Sequence, residues 1–392
     1  MTDKALLEWT EQDLPRQARW CGDPTGRRPR RVLPCDDTLP ADRAFRLISE
    51  GTALLWRGDF QNARQMLQAL QRRLDKPPRR ARSRPVQKVA GPQATPGAAF
   101  HAQRQVQARR AHVLGMLLIE LDGAYGIALG RAPDLRQACS EAWGPPDGQP
   151  GVVPLRTLLG LIGAHEWRKK GVPVPTAGGV LPIHPHYGVF APVRGEYVDL
   201  VAQAPLPAAL EAHPLAFDIG VGTGVLSAVL ARRGVAGVVA TDLSERALAC
   251  AHDNLQRLGL LGQVRLVLAD LFPQGQAALV VCNPPWLPAR PTSVLEQAVY
   301  DEDSRMLRGF LGGLAAHLVD GGEGWLILSD LAEHLGLRSR QNLLDWIDAA
   351  DLVVLGMLQT RPVHARAQDR SDPLHTARAA EVTALWRLGR KT

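Results

Sequence analysis

The sequence lacks the features that mark a membrane or a secreted protein. No run of about 18 uncharged apolar residues, the length that a membrane-spanning helix needs, occurs in the 392 residues. The first thirty residues carry both charge signs, whereas a signal peptide joins a positive segment to an apolar one. The sequence therefore predicts a cytoplasmic protein that is long enough for two domains.

Cysteines are few and scattered along the chain. The five are Cys21, Cys35, Cys139, Cys250 and Cys282. None of them forms the C-x-x-C spacing that is typical of zinc and redox sites. We therefore expect most of them to be buried as small apolar residues, and we expect no metal site.

Lysine is also scarce, at six of the 46 basic residues, so that arginine dominates the positive charge. Residues 1–110 contain 22 Lys and Arg against 11 Asp and Glu, whereas the rest of the chain contains 24 against 28. This positive N-terminal part is predicted to contact a polyanion such as RNA or DNA. The alternative is a coding bias towards arginine without any nucleic-acid partner.

Residues 1–150 are predicted to form a basic, mostly helical domain that recognises the substrate. Apolar residues recur at near-helical spacing over residues 59–74 and 100–121, which predicts two helices. Residues 77–97 are rich in Pro, Arg and Gly, so we expect a flexible basic linker. Pro-rich and Gly-rich runs over residues 141–195 indicate a domain boundary near residue 150.

From residue 215, short β-rich runs alternate with helical segments. The runs that predict buried parallel strands are LAFDI, GVVATD, VRLVLAD, ALVVCN and GWLILSD. Two later runs, LVVLGMLQT and EVTALWRL, have no predicted helix between them and indicate an antiparallel pair. Residues 151–392 are therefore predicted to be an α/β domain with a Rossmann-like, doubly wound, seven-stranded sheet.

A glycine-rich turn, DIGVGTG, follows the first of these strands. Its glycines allow special backbone dihedral angles and a close approach to a ligand. Acids end the first three strands, at Asp218, Asp242 and Asp270. Ligands of open parallel sheets bind beyond the carboxyl ends of the strands, so these acids indicate a nucleotide-like cofactor. NAD is one alternative, because an acid after the second strand accepts ribose hydroxyls.

DIGVGTG resembles the D/E-x-G-x-G-x-G signature of class I S-adenosylmethionine-dependent methyltransferases, and Val225 stands where the dinucleotide pattern requires glycine. The resemblance implies S-adenosyl-L-methionine as the cofactor, with Asp218 and the glycines facing its methionine part, Asp242 its ribose and Asp270 its adenine amine. The cofactor-binding residues that it implies are Phe190, Arg194, Asp218, Gly220, Gly222, Gly224, Asp242, Leu243, Asp270, Leu271 and Asn283.

The stretch VVCNPPW resembles the D/N-P-P-Y/F/W motif that ends strand four in amino-directed methyltransferases. A planar amino or amide nitrogen is a poor nucleophile because its lone pair is delocalised. The resemblance implies that the Asn283 side-chain oxygen and the Pro284 carbonyl accept its two N–H groups. Pro285 would fix the corner, and Trp286 would offer a stacking face. These four residues are the predicted catalytic set.

Residues 186–201 resemble the segment that walls the cofactor in release-factor glutamine methyltransferases and small-domain rRNA methyltransferases. Arg194 matches the Arg of the glutamine enzymes' P-R-P-E-T motif, whereas Gly195 replaces its second Pro. His184 and His186 are predicted to pack beside the cofactor rather than to bind a metal, because no carboxylate or cysteine is grouped near them.

The predicted function is methylation of an exocyclic amino group of a nucleic-acid base, adenine N6 or guanine N2, in ribosomal or other RNA. The N-terminal part would supply phosphate contacts. The alternative is a protein glutamine methyltransferase of the release-factor type. Methylation of duplex DNA, a cofactor-binding protein without catalysis, and a nicotinamide oxidoreductase are further alternatives.

Overall fold

The computed structural model of the chain describes residues 6–22, 28–75, 95–176, 179–193, 195–291, 295–362 and 369–391. Within these ranges, every helix is too short or too polar to cross a membrane.

The chain divides into two compact units. The first contains Met1–Ala94 and His101–Glu166, and the second contains Thr95–Phe100 and Trp167–Thr392. The boundary expected near residue 150 falls inside the first unit, because the strand that follows this position belongs to the sheet of that unit.

A six-stranded mixed sheet lies at the centre of the first unit, which corrects the expectation of a mostly helical domain. Its strands are β1 (Leu6–Glu11), β2 (Leu14–Trp20), β3 (Arg31–Cys35), β4 (Thr52–Trp56), β5 (Leu117–Leu121) and β6 (Gly151–Pro154). Their order is β1-β2-β6-β5-β4-β3, and β3, β4 and β5 run parallel. Short apolar runs such as TALLW carry no period that separates a buried strand from a helix, so the sequence did not reveal the sheet.

Five helices accompany these strands. They are α1 (Ala41–Ser49), α2 (Phe60–Asp75), α3 (Pro96–Leu114), α4 (Arg136–Trp143) and α5 (Leu155–Lys170). The helix predicted over residues 59–74 is confirmed as α2. The helix predicted over residues 100–121 is wrong beyond Leu114, because LLIEL pairs with β4 and β6 as strand β5. Of the linker predicted over residues 77–97, positions 77–94 lie outside the described residues, and its end starts α3.

The second unit contains a hairpin and a seven-stranded sheet. The hairpin strands are β7 (Val172–Thr176) and β8 (Gly179–Ile183). The sheet strands are β9 (Leu215–Ile219), β10 (Gly237–Asp242), β11 (Val264–Leu268), β12 (Ala277–Cys282), β13 (Leu318–Ser329), β14 (Leu352–Thr360) and β15 (Thr383–Arg390). Their order is β11-β10-β9-β12-β13-β15-β14, with β15 antiparallel to both of its neighbours. The predicted seven-stranded, doubly wound sheet is confirmed.

The helices of this unit follow the predicted alternation with the strands. They are α6 (Glu196–Gln203), α7 (Ala209–Ala212), α8 (Val225–Arg232), α9 (Glu245–Arg257), α10 (Arg305–His317), α11 (Leu331–His334), α12 (Arg340–Ala349) and α13 (His375–Ala380). The last two strands do form an antiparallel pair, but the expectation of no helix between them is wrong, because α13 lies there.

Both faces of the seven-stranded sheet are buried. On β12, Val281 belongs to one hydrophobic cluster, whereas Val280 and Cys282 belong to the cluster on the other face. All six residues of β12 are buried, which explains its unbroken apolar sequence. The expectation for the cysteines holds for Cys139, Cys250 and Cys282, which are buried; Cys21 and Cys35 are partly exposed.

Candidate active site

The glycine turn and the Asn-Pro corner leave neighbouring strands at the same edge of the sheet. β9 and β12 pair in parallel, with Ile219 opposite Cys282. The next residue of the first strand is Gly220, and the next residue of the second is Asn283. The two predicted segments therefore start side by side, beyond the carboxyl ends of adjacent parallel strands, where ligands of such sheets bind.

The glycine turn is held over the end of β10 by its backbone. The N–H groups of Gly220 and Val221 donate to the carbonyl of Thr241 at 2.9 and 2.8 Å. Gly220, Gly222 and Gly224 have φ values of +79°, +53° and +82°, which side chains with a Cβ adopt only with strain. A Cβ on Gly222 would meet no described atom closer than the Gly220 carbonyl, at 4.0 Å. The turn thus leaves open space at Gly222.

Asp218 lies in the core behind this turn. Its carboxylate is 1% exposed and accepts a hydrogen bond from the Ser227 hydroxyl at 2.5 Å. Burial raises the pKa of Asp218 to about 6, although the hydrogen bonds from Ser227 oppose the shift. The sequence reasoning missed Ser227. The sequence feature that could have indicated Ser227 is its polar side chain on α8, a helix that is buried on almost every side.

Asp242 ends β10 and connects the glycine turn to the next helix. Its two carboxylate oxygens accept the N–H groups of Gly222 at 3.1 Å and Ser244 at 2.9 Å. Burial raises the pKa of this carboxyl, against the effect of those hydrogen bonds. Each oxygen retains a second acceptor position. The adjacent Leu243 is 64% exposed, so an apolar surface accompanies the acid.

Asp270 and Leu271 follow β11. Asp270 is paired with Arg305 on α10, at 2.7 Å between Oδ2 and Nη2. Leu271 has a φ of +71°, and its carbonyl accepts the Thr241 hydroxyl at 2.5 Å. The strained residue is therefore tied to the end of β10. Sequence reasoning missed Arg305, and nothing in its local pattern distinguishes it from the chain's other exposed arginines.

Asn283 and Trp286 interact directly within the NPPW corner. The indole N–H of Trp286 donates to the Asn283 side-chain oxygen at 2.9 Å. Both residues are half-buried, and the Trp286 ring packs against the hydrophobic clusters on both faces of the sheet. Pro284 is buried, and Pro285 is half-buried. The sequence predicted only a stacking role for Trp286 and did not foresee this hydrogen bond.

The segment before α6 supplies the remaining predicted positions. Phe190 is 39% exposed, whereas Arg194 lies outside the described residues. The ring of His186 contacts the Asp253 carboxylate at 2.8 Å, and that of His184 contacts the Arg168 carbonyl at 2.7 Å. The two histidines thus attach this segment to α9 and α5.

Asn254 on α9 is a third residue that the sequence reasoning missed. Its buried side chain donates to the Thr223 carbonyl in the glycine turn at 3.0 Å and accepts the His184 N–H at 2.7 Å. It therefore joins the turn to the segment at His184. Its signal is a polar residue at the helical spacing of Cys250, Ala251 and Leu255, which are buried.

The residues present fit S-adenosylmethionine. The space at Gly222 is one that a Cβ would occupy, so the turn accepts a close ligand. Asp242 offers charged acceptors for two hydroxyl groups, and the exposed side chains of Leu243 and Phe190 offer apolar surface for an aromatic ring. We expect Gly220, Gly222, Asp242 and Leu243 to hold the cofactor.

Comparison with known proteins also indicates an S-adenosylmethionine-dependent methyltransferase domain. Residues 181–337 match the family model "Methyltransferase small domain". The chain is 30% identical over 171 residues to the release factor glutamine methyltransferase of Thermosynechococcus vestitus, covering 42% of this chain and 54% of that protein. The corresponding enzyme of Cereibacter sphaeroides is 32% identical over 172 residues, covering 38% of this chain and 61% of that protein.

A relative whose name gives an RNA substrate is also similar. The tRNA1(Val) (adenine(37)-N6)-methyltransferase of Shewanella sp. is 28% identical over 171 residues, covering 41% of this chain and 70% of that enzyme. The chain thus spans less than two thirds of the two glutamine methyltransferases. Residues 181–337 thus match the methyltransferase small domain model, and the resemblance to class I methyltransferases, with S-adenosylmethionine as the cofactor, is confirmed.

Proposed function

We propose that this protein methylates an exocyclic amino group of a base in RNA. The observation that carries the proposal is the pairing of Ile219 with Cys282, because it brings the glycine turn and the Asn-Pro corner together. A cofactor on the first segment and an amino group on the second then share one site, and holding two reactants in the right geometry lowers the barrier.

Asn283 and Pro284 would act on the acceptor nitrogen. When bound, S-adenosylmethionine supplies a methyl group that its sulfonium charge activates. The Asn283 oxygen and the Pro284 carbonyl accept the two N–H groups, which draws the lone pair of the nitrogen out of conjugation. No base is needed before transfer, since the nitrogen becomes acidic only once it carries the positive charge.

Trp286 contributes to the orientation of Asn283. Its N–H uses one acceptor position of the Asn283 oxygen at 2.9 Å, and the oxygen can accept a second hydrogen bond. The ring is held by the hydrophobic clusters on both faces of the sheet. The indole therefore holds the carboxamide plane in one orientation before the acceptor arrives.

RNA is the proposed substrate because of the positive charge in the N-terminal part, with 22 Lys and Arg against 11 Asp and Glu in residues 1–110. Phosphates of a nucleic acid are attracted by such a field. The second candidate is a glutamine side chain of a protein, whose carboxamide presents the same planar NH₂. The similarity to release factor glutamine methyltransferases favours it. With either substrate, we expect the reaction to take place in the cytoplasm.

The test is transfer of a radiolabelled methyl group into extracted RNA and, separately, into purified release factors. We expect label in RNA. Asn283→Ala should reduce turnover by about 100-fold or more, the cost of removing one stabilising polar group in comparable sites. Its affinity for S-adenosylmethionine should change little in calorimetry, because we assign the Asn283 side-chain oxygen to the acceptor nitrogen, although the resemblance also counts Asn283 among the cofactor-binding residues.

Trp286→Phe is the companion variant, since it keeps an aromatic ring and removes only the N–H donor. It should lower kcat by about 10-fold with little change in KM, because one hydrogen bond that orients Asn283 is lost. Label in release factors alone would reject the RNA proposal. Unchanged turnover in Asn283→Ala would reject the role of the NPPW corner.

A further inference from the structure

Arg338 is a buried arginine with unused hydrogen-bond donors. It lies between α11 and α12, is 6% exposed, and burial lowers the pKa of its guanidinium. Its Nε and Nη2 atoms have no hydrogen-bond partner within the described parts of the chain. A buried polar group without a partner costs free energy of folding, so it calls for an explanation.

The two donors lie on the same edge of the guanidinium group. Other arginines of this chain use that edge to bind both oxygens of a carboxylate. Arg131 donates from Nε and Nη2 to Asp59 at 2.7 and 2.8 Å, and Arg387 donates in the same way to Glu323 at 2.8 and 2.6 Å. The matching edge of Arg338 therefore fits an anion with two oxygens, such as a carboxylate or a phosphate.

The two carboxylates whose charges act most on Arg338 are hydrogen-bonded to other groups. Glu333 and Asp301 both raise the pKa of Arg338. The oxygens of Asp301 accept the N–H groups of Met306 and Leu307 at 3.0 and 3.1 Å, at the start of α10. Those of Glu333 accept Nε of Arg340 at 2.8 and 2.9 Å. Neither acid pairs with Arg338, which keeps its positive charge.

Arg338 lies near the NPPW corner. The N–H of Asp301 donates to the carbonyl of Leu287, the residue after Trp286, at 2.9 Å. Leu287 also packs in one hydrophobic cluster with Leu331 and Leu335, and the Arg338 N–H donates to Ala332 beside them. The Arg338 backbone therefore adjoins the cluster that packs against the residue after the NPPW corner, and its guanidinium is close enough to Asp301 for the two charges to interact.

We propose that the Nε–Nη2 edge of Arg338 binds a backbone phosphate of the RNA that carries the target base. This inference rests on the proposed function and adds a recognition site to it. Phosphate is favoured over carboxylate because the proposed substrate carries phosphates and residues 1–110 hold an excess of positive charge, which attracts a polyanion. Because Arg338 is 6% exposed, an anion that reaches this edge must displace the side chains that cover it.

The first experiment measures thermal stability against the concentration of inorganic phosphate, with acetate at equal ionic strength as the carboxylate probe. The unmodified protein should gain stability in phosphate by mass action. Arg338→Met should lose this response, and Arg338→Lys should keep only part of it, because Lys lacks the fork. Arg308→Met removes the same charge from an exposed position that stacks on Trp346 and should respond like the unmodified protein.

Arg338→Met should also melt at a higher temperature than the unmodified protein without phosphate, since it removes a buried unpaired charge. With a higher melting temperature, a lost phosphate response in Arg338→Met cannot be attributed to a folding defect. In RNA-binding assays, Arg338→Met should weaken binding by about 10- to 100-fold more than Arg308→Met, the range for a hydrogen bond to a charged group.

The outcomes separate the two proposals. RNA labelling without any phosphate response would overturn the Arg338 site alone. A response to acetate but not to phosphate, with label in release factors, would overturn both. A phosphate response that depends on Arg338, in a protein that labels no RNA, would support the anion site and reject RNA methylation. An equal loss of RNA binding in both methionine variants would reject a specific contact.

Discussion

Each of the two sheets of this protein places acids at or just beyond the ends of two neighbouring parallel strands. In the second unit, Asp242 ends β10 and Asp270 follows β11. In the first unit, Asp37 and Asp59 follow β3 and β4. One acid in each unit also has a glycine beside it: Gly58 precedes Asp59, and the Gly222 N–H donates to Asp242. Sequence features of this kind therefore occur in both units, and the difference lies in what surrounds them.

In the first unit, side chains fill the region beyond the strands. The Asp59 carboxylate is bound by both Nε and Nη2 of Arg131, which lowers its pKa. The Asp37 carboxylate accepts the N–H of Asp59, and a Cβ on Gly58 would lie 2.3 Å from an oxygen of Asp37. No space remains at this glycine.

In the second unit, Asp270 is paired with Arg305, but backbone groups bind Asp242 and leave space beside it. Asp242 is bound by the N–H groups of Gly222 and Ser244, and burial raises its pKa. A Cβ on Gly222 would lie 4.0 Å from the Gly220 carbonyl, which is ordinary van der Waals contact. The comparison shows that acids and glycines at strand ends indicate a ligand site only where other side chains do not fill the space beside the glycine.

The largest expected effect comes from filling the space at Gly222. Gly222→Val should reduce affinity for S-adenosylmethionine by about 100-fold or more, because its side chain occupies the ligand's place at a φ of +53°. Gly58→Ala is the matched variant in the first unit and should lower the melting temperature without changing cofactor affinity. Calorimetry and thermal denaturation of both variants measure this. If Gly222→Val bound the cofactor as tightly as the unmodified protein, the space at Gly222 would not be part of the ligand site.

A smaller effect is expected from removing one strand-end charge. Asp242→Asn should weaken cofactor binding by about 10- to 100-fold, since a charged acceptor becomes a neutral one. Asp59→Asn should leave cofactor binding unchanged and lower only the melting temperature, because it loses the pair with Arg131. Isothermal titration with the cofactor distinguishes the two variants. A loss of affinity in Asp59→Asn would show that the first unit's acids also serve the ligand.

The smallest effect concerns pH. The pKa of Asp218 is raised from 3.8 to about 6 in the folded protein, so the unfolded chain loses its proton first as pH rises. Stability should therefore fall between about pH 4 and pH 6, by up to about 3 kcal/mol. Asp218→Asn should remove this dependence while its oxygen still accepts the Ser227 hydroxyl. Urea denaturation of both proteins across this range measures the difference, and parallel curves would contradict it.

The first unit should respond to pH in the opposite direction at Asp59. Its pKa is lowered by Arg131, so its contribution to stability is present above the unfolded pKa and is lost as pH falls through the folded one. Asp59→Asn should therefore reduce stability at neutral pH and converge with the unmodified protein in acid.

Much of the second unit was predictable, because parallel strands that are buried on both faces give unbroken apolar runs. The turn at Gly220 and the corner at Asn283 were identified separately, and their proximity follows once β9 and β12 are known to be neighbours. The first unit was not predictable, because runs such as TALLW and LLIEL are too short to distinguish strand from helix. The role of Asn254 was missed because its partners are 31 and 70 residues away.

The sequence by itself determined the resemblance to methyltransferases, the positions of the glycine turn and the NPPW corner, and the strands that precede them, because these depend on local residue types. Only the tertiary structure decided which acids face open space and which are closed by arginine. It also decided that Trp286 donates to Asn283 and that Arg338 is buried with an unused edge. Such features depend on side chains that are distant in sequence or on the rotamer that packing selects, and local patterns carry no record of either.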